Sequence, residues 1–182
     1  MMLTKQRQQT AYLALAESFG YTSPMQSPRV MKAVVSTGVG KKRDPKQLAL
    51  IEDRLSRITG QKAAPRSAKN SIAAFKVREG DTVGLQVTLR GPRMYDFLDK
   101  LIHIALPRTR DFRGLPILAI DDMGNLTIGI REHTIFPETS DEDLKDVFGL
   151  AVTIVTTAKD KKEAEAFFRH LGLPLVDRGS KR

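Results

Sequence analysis

The sequence predicts an α+β protein, a largely antiparallel sheet with helices on one face and an exposed polar face on the other. Three observations predict it. Apolar stripes at helical spacing interleave with strands of two-residue period. The polar positions of those strands carry Lys, Ser, Gln, Thr and Arg, the pattern of a sheet buried on one side only. Gly and Pro punctuate most element boundaries.

A chain of 182 residues is most simply one domain, residues 1–182. Residues 1–20 form an N-terminal helix, with Leu13, Ala16 and Phe19 in register and Gly20 then Pro24 as stops. Arg29 to Val39 reads as a strand, with Met31, Ala33, Val35 and Val39 on one face and Lys32 and Ser36 on the other. Asp44 is the expected N-cap of a second helix, with Pro45 at its first position, Leu48, Ile51, Leu55 and Ile58 as its stripe, and Gly60 at its end. Residues 66–82 read as a long basic loop. Val83, Leu85, Val87 and Leu89 then alternate with Gly84, Gln86, Thr88 and Arg90 as a half-buried strand.

Met94, Phe97, Leu98, Leu101, Ile102 and Ala105 form the next helical face, limited by Pro107. The turn around Asp122 precedes a strand in which Leu126, Ile128 and Ile130 alternate with Thr127, Gly129 and Arg131, so a hairpin is expected there. Leu150 to Thr157 is a further strand. Asp160 and Glu163 make a capping-box pattern for a last helix packed through Ala164, Phe167, Phe168 and Leu171 and closed by Gly172. Residues 176–182 read as a frayed basic tail.

Composition narrows the function classes. A net charge of +9 and a pI near 9.9 favour an anionic partner, nucleic acid before a membrane surface. No run approaches the roughly 20 apolar residues that span a bilayer, and the N-terminus lacks the apolar stretch of an export signal. A cytoplasmic protein with no membrane partner is expected. The absence of cysteine excludes disulfides and thiolate metal sites. His103, His133 and His170 lie far apart and lack partners at metal-ligand spacing. Gly38 to Lys41 faintly resembles a phosphate-binding loop, but its first glycine would fall at Val35, and Lys42 stands where Ser or Thr is needed. Asp121 and Asp122 belong to a turn, with no second carboxylate cluster to complete an acid and base pair. No catalytic residue, cofactor or metal is expected.

From Lys62 to Arg93 there are seven Lys or Arg (Lys62, Arg66, Lys69, Lys76, Arg78, Arg90 and Arg93) against only Glu79 and Asp81, a spacing that suits a polyanion better than self-pairing. With helices over one side of the sheet, the other presents Lys32, Ser36, Gln86, Thr88, Arg90, Thr127 and Arg131. An ordinary solvated sheet face would show the same residues; the charge bias favours a ligand. None of the chain's 8 Phe and 3 Tyr falls on these positions, which argues against a stacking platform for single-stranded RNA. A folded RNA helix fits better, its shallow minor groove offering 2′-hydroxyls to Ser, Thr and Gln while Lys and Arg reach phosphates. The basic loop holds Ile72, Phe75 and Val77, and it either meets a second RNA or tucks Phe75 back onto the body.

The blocks PRVMKAVVSTGVG, ITGQK, RSAKNSIAAFKVREG, VTLRGPRMYDFLDKLIHIALPRTRDFRGL, GNLTIGIREHTIFPE and VTIVTTAK also carry a resemblance. In their order, from about Phe19 to Leu175, the chain resembles the bacterial-type large-subunit ribosomal protein L-five family, whose members bind 5S ribosomal RNA. The resemblance implies a non-enzymatic ribosomal constituent in the central protuberance, beside large-subunit rRNA and neighbouring large-subunit proteins. It carries 5S contacts onto Ser36, Gln61 and Thr88; Lys32, Arg66 and Arg90 complete the expected 5S rRNA-binding set. Ser36 stands where the family has Asn, and its shorter side chain leaves a direct contact or a bridging water open. The resemblance turns Lys69, Asn70, Ser71, Phe75, Lys76 and Arg78 toward P-site tRNA. It turns the ALPRTRDFRG region, with Arg108, Arg110, Asp111 and Arg113, toward a protein of the small-subunit head. Two other readings stand beside it: an extra-ribosomal RNA-binding regulatory module, and a nucleotide-phosphate enzyme using Gly38 to Lys42.

Overall fold

The computed structural model describes residues 3–40, 45–110, 112–139 and 147–176. Asp44, the pair Lys41 and Lys42, Asp111 and the tail after Val176 lie outside the described residues. The fold is α+β. Strands β1 (Val30–Gly38), β2 (Ala64–Ser67), β3 (Thr82–Leu89), β5 (Leu126–Ile130) and β6 (Leu150–Thr156) form a largely antiparallel sheet in the order β2-β3-β1-β6-β5. A separate parallel pair joins β4 (Leu115–Pro116) to β7 (Leu175–Val176). Two compact units are distinguished, one of Met1–Ala33, Arg90–Ile128 and Thr153–Arg182, the other of Val34–Leu89 and Gly129–Val152.

In the first unit, α1 (Thr4–Phe19) ends at Gly20, whose φ of 66° is the left-handed stop expected of glycine. The stripe read from the sequence is not its packing face: Leu13 is 78 % exposed, and Ala11 and Leu15 are buried instead. The helix is too polar to select its own inner side, and packing against α3 (Pro92–Lys100) and α5 (Lys161–Leu171) selects it. No acidic residue lies in its first turn; Asp99 of α3 supplies that charge, its Oδ1 accepting from Thr4 N at 2.7 Å and Thr4 Oγ1 at 2.5 Å. Asp99→Ala is expected to cost about 1–2 kcal/mol, the range of a lost N-cap. Denaturant unfolding with an unchanged m-value checks it.

Met94, Phe97, Leu98, Leu101, Ile102 and Ala105 are all buried, as their spacing predicts. Pro107 does not end the helix. A π turn over Leu101–Ala105 widens the backbone just before it, and α4 (Leu106–Arg108) continues past the proline that would otherwise break the ladder. At the entry to β1 the period of two is reversed, with Val30 buried and Met31 exposed. Side-chain acceptors hold that entry, Gln8 Oε1 taking Val30 N at 3.0 Å and Thr157 Oγ1 taking Arg29 N at 3.0 Å.

The expected turn before β5 is present: Asp121 N donates to Asn125 O at 2.9 Å, and Ile120 bridges Leu126. Partial burial would raise the Asp121 carboxyl, but hydrogen bonds from Asn125 outweigh it and hold the group below its ordinary value. In α5, Ala164, Phe167, Phe168 and Leu171 are buried, and Gly172 closes the helix at φ 94°. The capping box read from the sequence is replaced by a bond one residue earlier. The Asp160 side chain makes no cap bond, while Glu163 accepts from Lys159 N at 2.6 Å and from the Tyr21 hydroxyl. Burial, then that bond, pushes the Tyr21 phenol well above the usual tyrosine range.

In the second unit, α2 (Pro45–Thr59) packs on β3 through buried Ile51, Leu55 and Ile58. Val35, Thr37 and Val39 point inward from β1, while Ser36 is half-buried and Gly38 exposed. Sequence reading missed β2, because APRS contains no strand former and all four residues are exposed. Its strand character comes from backbone pairing with β3, in a register that sets Ala64 opposite Gln86 and Arg66 opposite Gly84. Residues 68–81 therefore extend a hairpin. Ala68 N donates to Asp81 O at 2.8 Å, Gly80 N to Ala68 O at 3.1 Å, and Ile72 bridges Val77.

Candidate nucleic-acid interface

The period of two along β3 sends Leu85, Val87 and Leu89 into the core and leaves Gln86 and Thr88 half-buried on the opposite side. The β2–β3 register puts Arg66 on the side of Gln86, and its Nε donates to Gln86 Oε1 at 2.6 Å. That bond fixes the plane of a guanidinium whose two Nη groups make no hydrogen bond among the described residues and can meet a phosphate or a ribose.

Gln61 reaches the same strand from the loop after α2. The β2 ladder begins at the Ala64–Gln86 pair, so the Thr88 carbonyl lies just beyond it, and Gln61 Nε2 donates to that carbonyl at 3.4 Å. Thr59 Oγ1 donates to the Gln61 backbone carbonyl at 3.0 Å and orients the loop. Two residues 27 positions apart thus meet at the end of a strand. On its other side Gln61 borders an open groove of about 580 Å³ lined also by Glu52, Asp53 and Lys62, where Lys62 Nζ lies 3.6 Å from Glu52.

Ser36 lies in a second open groove, of about 500 Å³, with Thr37, Gly38, Gly129, Ile130, Arg131 and Gly149 on its walls. Arg131 is exposed there. Arg131 was read as part of the polar sheet face and Gly38 as part of the phosphate-loop alternative, but neither they nor Gly129 belong to the expected 5S rRNA-binding set; for the glycines, a break in an alternating strand was the available signal. Gln86 was read as part of the polar face, but its bond to Arg66 was not legible without β2.

In the first unit, Lys32 is half-buried on β1, and Arg90 is exposed immediately after β3. Arg108, Arg110 and Arg113 are all exposed between α4 and β4, a run of basic side chains on one connection. In the hairpin of the second unit, Lys69, Asn70, Ser71, Phe75, Lys76 and Arg78 are exposed. Phe75 is 72 % exposed in a short 3-10 turn, so it is not folded back onto the body. Lys76 follows it in the left-handed conformation at φ 51°. The Ser71 hydroxyl accepts from Glu79 N at 2.9 Å, and Asp81 Oδ2 accepts from Arg78 N at 2.9 Å, which braces the arm behind the tip.

Comparison with known proteins gives a consistent likeness over most of the chain. Residues 23–78 match a family model described as "Ribosomal protein L5", and residues 82–175 match the model for the C-terminus of the same ribosomal protein family. "Large ribosomal subunit protein uL5" of Thermoanaerobacter sp. (strain X514) is 48 % identical over 164 residues, 90 % of this chain and 92 % of that protein. The proteins of the same description from Heliobacterium modesticaldum and Anaeromyxobacter sp. (strain K) are 48 % and 46 % identical, each over 88 % of this chain and over 90 % and 89 % of their own lengths.

Proposed function

This chain belongs to the ribosomal protein L5 family, and from that premise we propose that it holds 5S ribosomal RNA along β3 and presents the residue 68–81 hairpin to P-site tRNA. The coarser statement needs no proposal: the chain is a structural, RNA-binding constituent of the large ribosomal subunit and not an enzyme. The observation that supports the finer reading is the convergence at β3, where the Gln61 amide reaches Thr88 and the Arg66 guanidinium is held by Gln86. Four polar groups from the α2–β2 loop, β2 and β3 then stand at fixed positions beside an aromatic-free strand surface. That arrangement matches the hydroxyl-rich minor groove of an RNA helix better than unstacked bases.

In this reading Gln61, Thr88 and Gln86 bond to riboses or base edges, Arg66 meets a phosphate, and Ser36 contributes a hydroxyl. Lys32 and Arg90 of the first unit make separate phosphate contacts. Arg108, Arg110 and Arg113 face a protein of the small-subunit head. Replacing Gln61 and Thr88 together by Ala is expected to weaken 5S RNA binding by about fivefold to a hundredfold at fixed salt, since two net hydrogen bonds at about 0.5–1.5 kcal/mol each are removed. Titration of labelled 5S RNA, with thermal unfolding to verify the fold, measures it; unchanged affinity removes these two residues from the interface.

A further inference from the structure

Two strand glycines, Gly38 and Gly129, have no packing role among the described residues. Gly38 and Gly129 both have ordinary negative-φ or extended backbone, so neither is required by a turn. Among the described residues, no atom lies within 4 Å of where a Cβ would stand at either position. Gly149 in the same groove differs, because a Cβ there would press on the Ile130 and Arg131 carbonyls at 3.2 and 3.3 Å. A glycine in a strand forfeits strand propensity and side-chain packing. Gly149 has a packing reason for that loss, and Gly38 and Gly129 have none among the described residues.

Both glycines border the open groove of about 500 Å³ that also holds Ser36 and Arg131. Its floor is rigid: Thr37 is buried, and its Oγ1 donates to the Gly149 carbonyl at 2.7 Å. Bare backbone, one hydroxyl on Ser36 and one guanidinium on Arg131 make a surface of the chemistry a sugar–phosphate edge pairs with. We propose that Gly38 and Gly129 are clearance positions, kept without side chains so that the ribose–phosphate edge of an RNA helix seats directly on the strand backbone. The net charge of +9 and the exposed arginine favour RNA over a protein segment as the occupant. This rests on the proposed RNA-binding reading and extends it to a groove that the β3 residues do not line.

The test is a size series at one position, Gly129→Ala and Gly129→Val, measured for stability and for 5S RNA affinity against a generic hairpin of equal length. The open space predicts that both variants fold with a midpoint at or above that of the parent chain, because Val is a better strand former than Gly. Affinity for 5S RNA is expected to fall with side-chain size, by about tenfold or more at Val. The pairing of retained or raised stability with graded loss of binding is what a purely structural glycine does not produce. Parent-like binding by Gly129→Val overturns the clearance role while the parent's 5S preference still stands. Equal binding of the parent to both RNAs overturns the RNA reading itself, and this inference with it. Intact RNA binding combined with loss of a neighbouring protein from reconstituted subunits also overturns it, in favour of a protein occupant.

Discussion

Raising the salt from about 50 to about 200 mM is expected to weaken the 5S RNA complex by about three decades. If about six phosphates are neutralised, each releases close to one counterion, and a fourfold rise in salt then costs roughly a thousandfold in affinity. The slope is also diagnostic by residue. Arg66→Ala and Arg131→Ala should each flatten it by about one unit, because each removes one phosphate contact. Arg78→Ala should leave the slope for 5S RNA unchanged, since Arg78 sits on the hairpin assigned to tRNA and its backbone is tied to Asp81. Arg66 is the more informative of the two, because its bond to Gln86 Oε1 fixes the guanidinium before RNA arrives. Less side-chain freedom is then lost on binding. A salt series with three single variants measures all of this, and a slope near two for the parent would remove the extended phosphate interface.

The α+β plan and most element positions were legible because they depend on periodic burial. The inward set on β3 and the stripe from Met94 to Ala105 hold because each is strongly amphipathic and can choose its inner face alone. Where that local bias is weak, neighbours decide. In α1, Leu13 has the right spacing, yet Ala11 and Leu15 face inward because α3 and α5 pack on that side. β2 failed for a different reason: a strand exposed at every residue has no side-chain pattern, and only its ladder with β3 reveals it.

Legibility of the candidate site divides along the same line. Gln86 and Thr88 follow from the period of two. Nothing local in TGQK says that Gln61 reaches Thr88; the resemblance named both, and the fold supplies their contact through the end of the β2 ladder. The clearance glycines lay in the sequence as breaks in two alternating strands, but a break becomes informative only once the space beside it is known to be open.

Deleting residues 70–77 is expected to abolish most of this chain's contribution to P-site tRNA retention while leaving 5S RNA binding and the fold in place. The hairpin is closed behind the deletion, where Ala68 N bonds Asp81 O and Gly80 N bonds Ala68 O, so joining Lys69 to Arg78 keeps the β2–β3 register. Little packing is removed, because Ile72 and Phe75 are 47 % and 72 % exposed. What is lost is an exposed aromatic ring beside Lys76 at a tip whose backbone is set by the left-handed Lys76. Stacking on one base is worth about 1–3 kcal/mol, so tRNA dissociation from programmed ribosomes should quicken by about tenfold to a hundredfold. Phe75→Ala alone should reproduce most of that change if stacking dominates, and little of it if the tip acts mainly through charge. A deletion that weakens 5S RNA binding as much as tRNA retention would assign the hairpin to the scaffold of the 5S site, because the β2–β3 ladder that carries Arg66 would then depend on its tip.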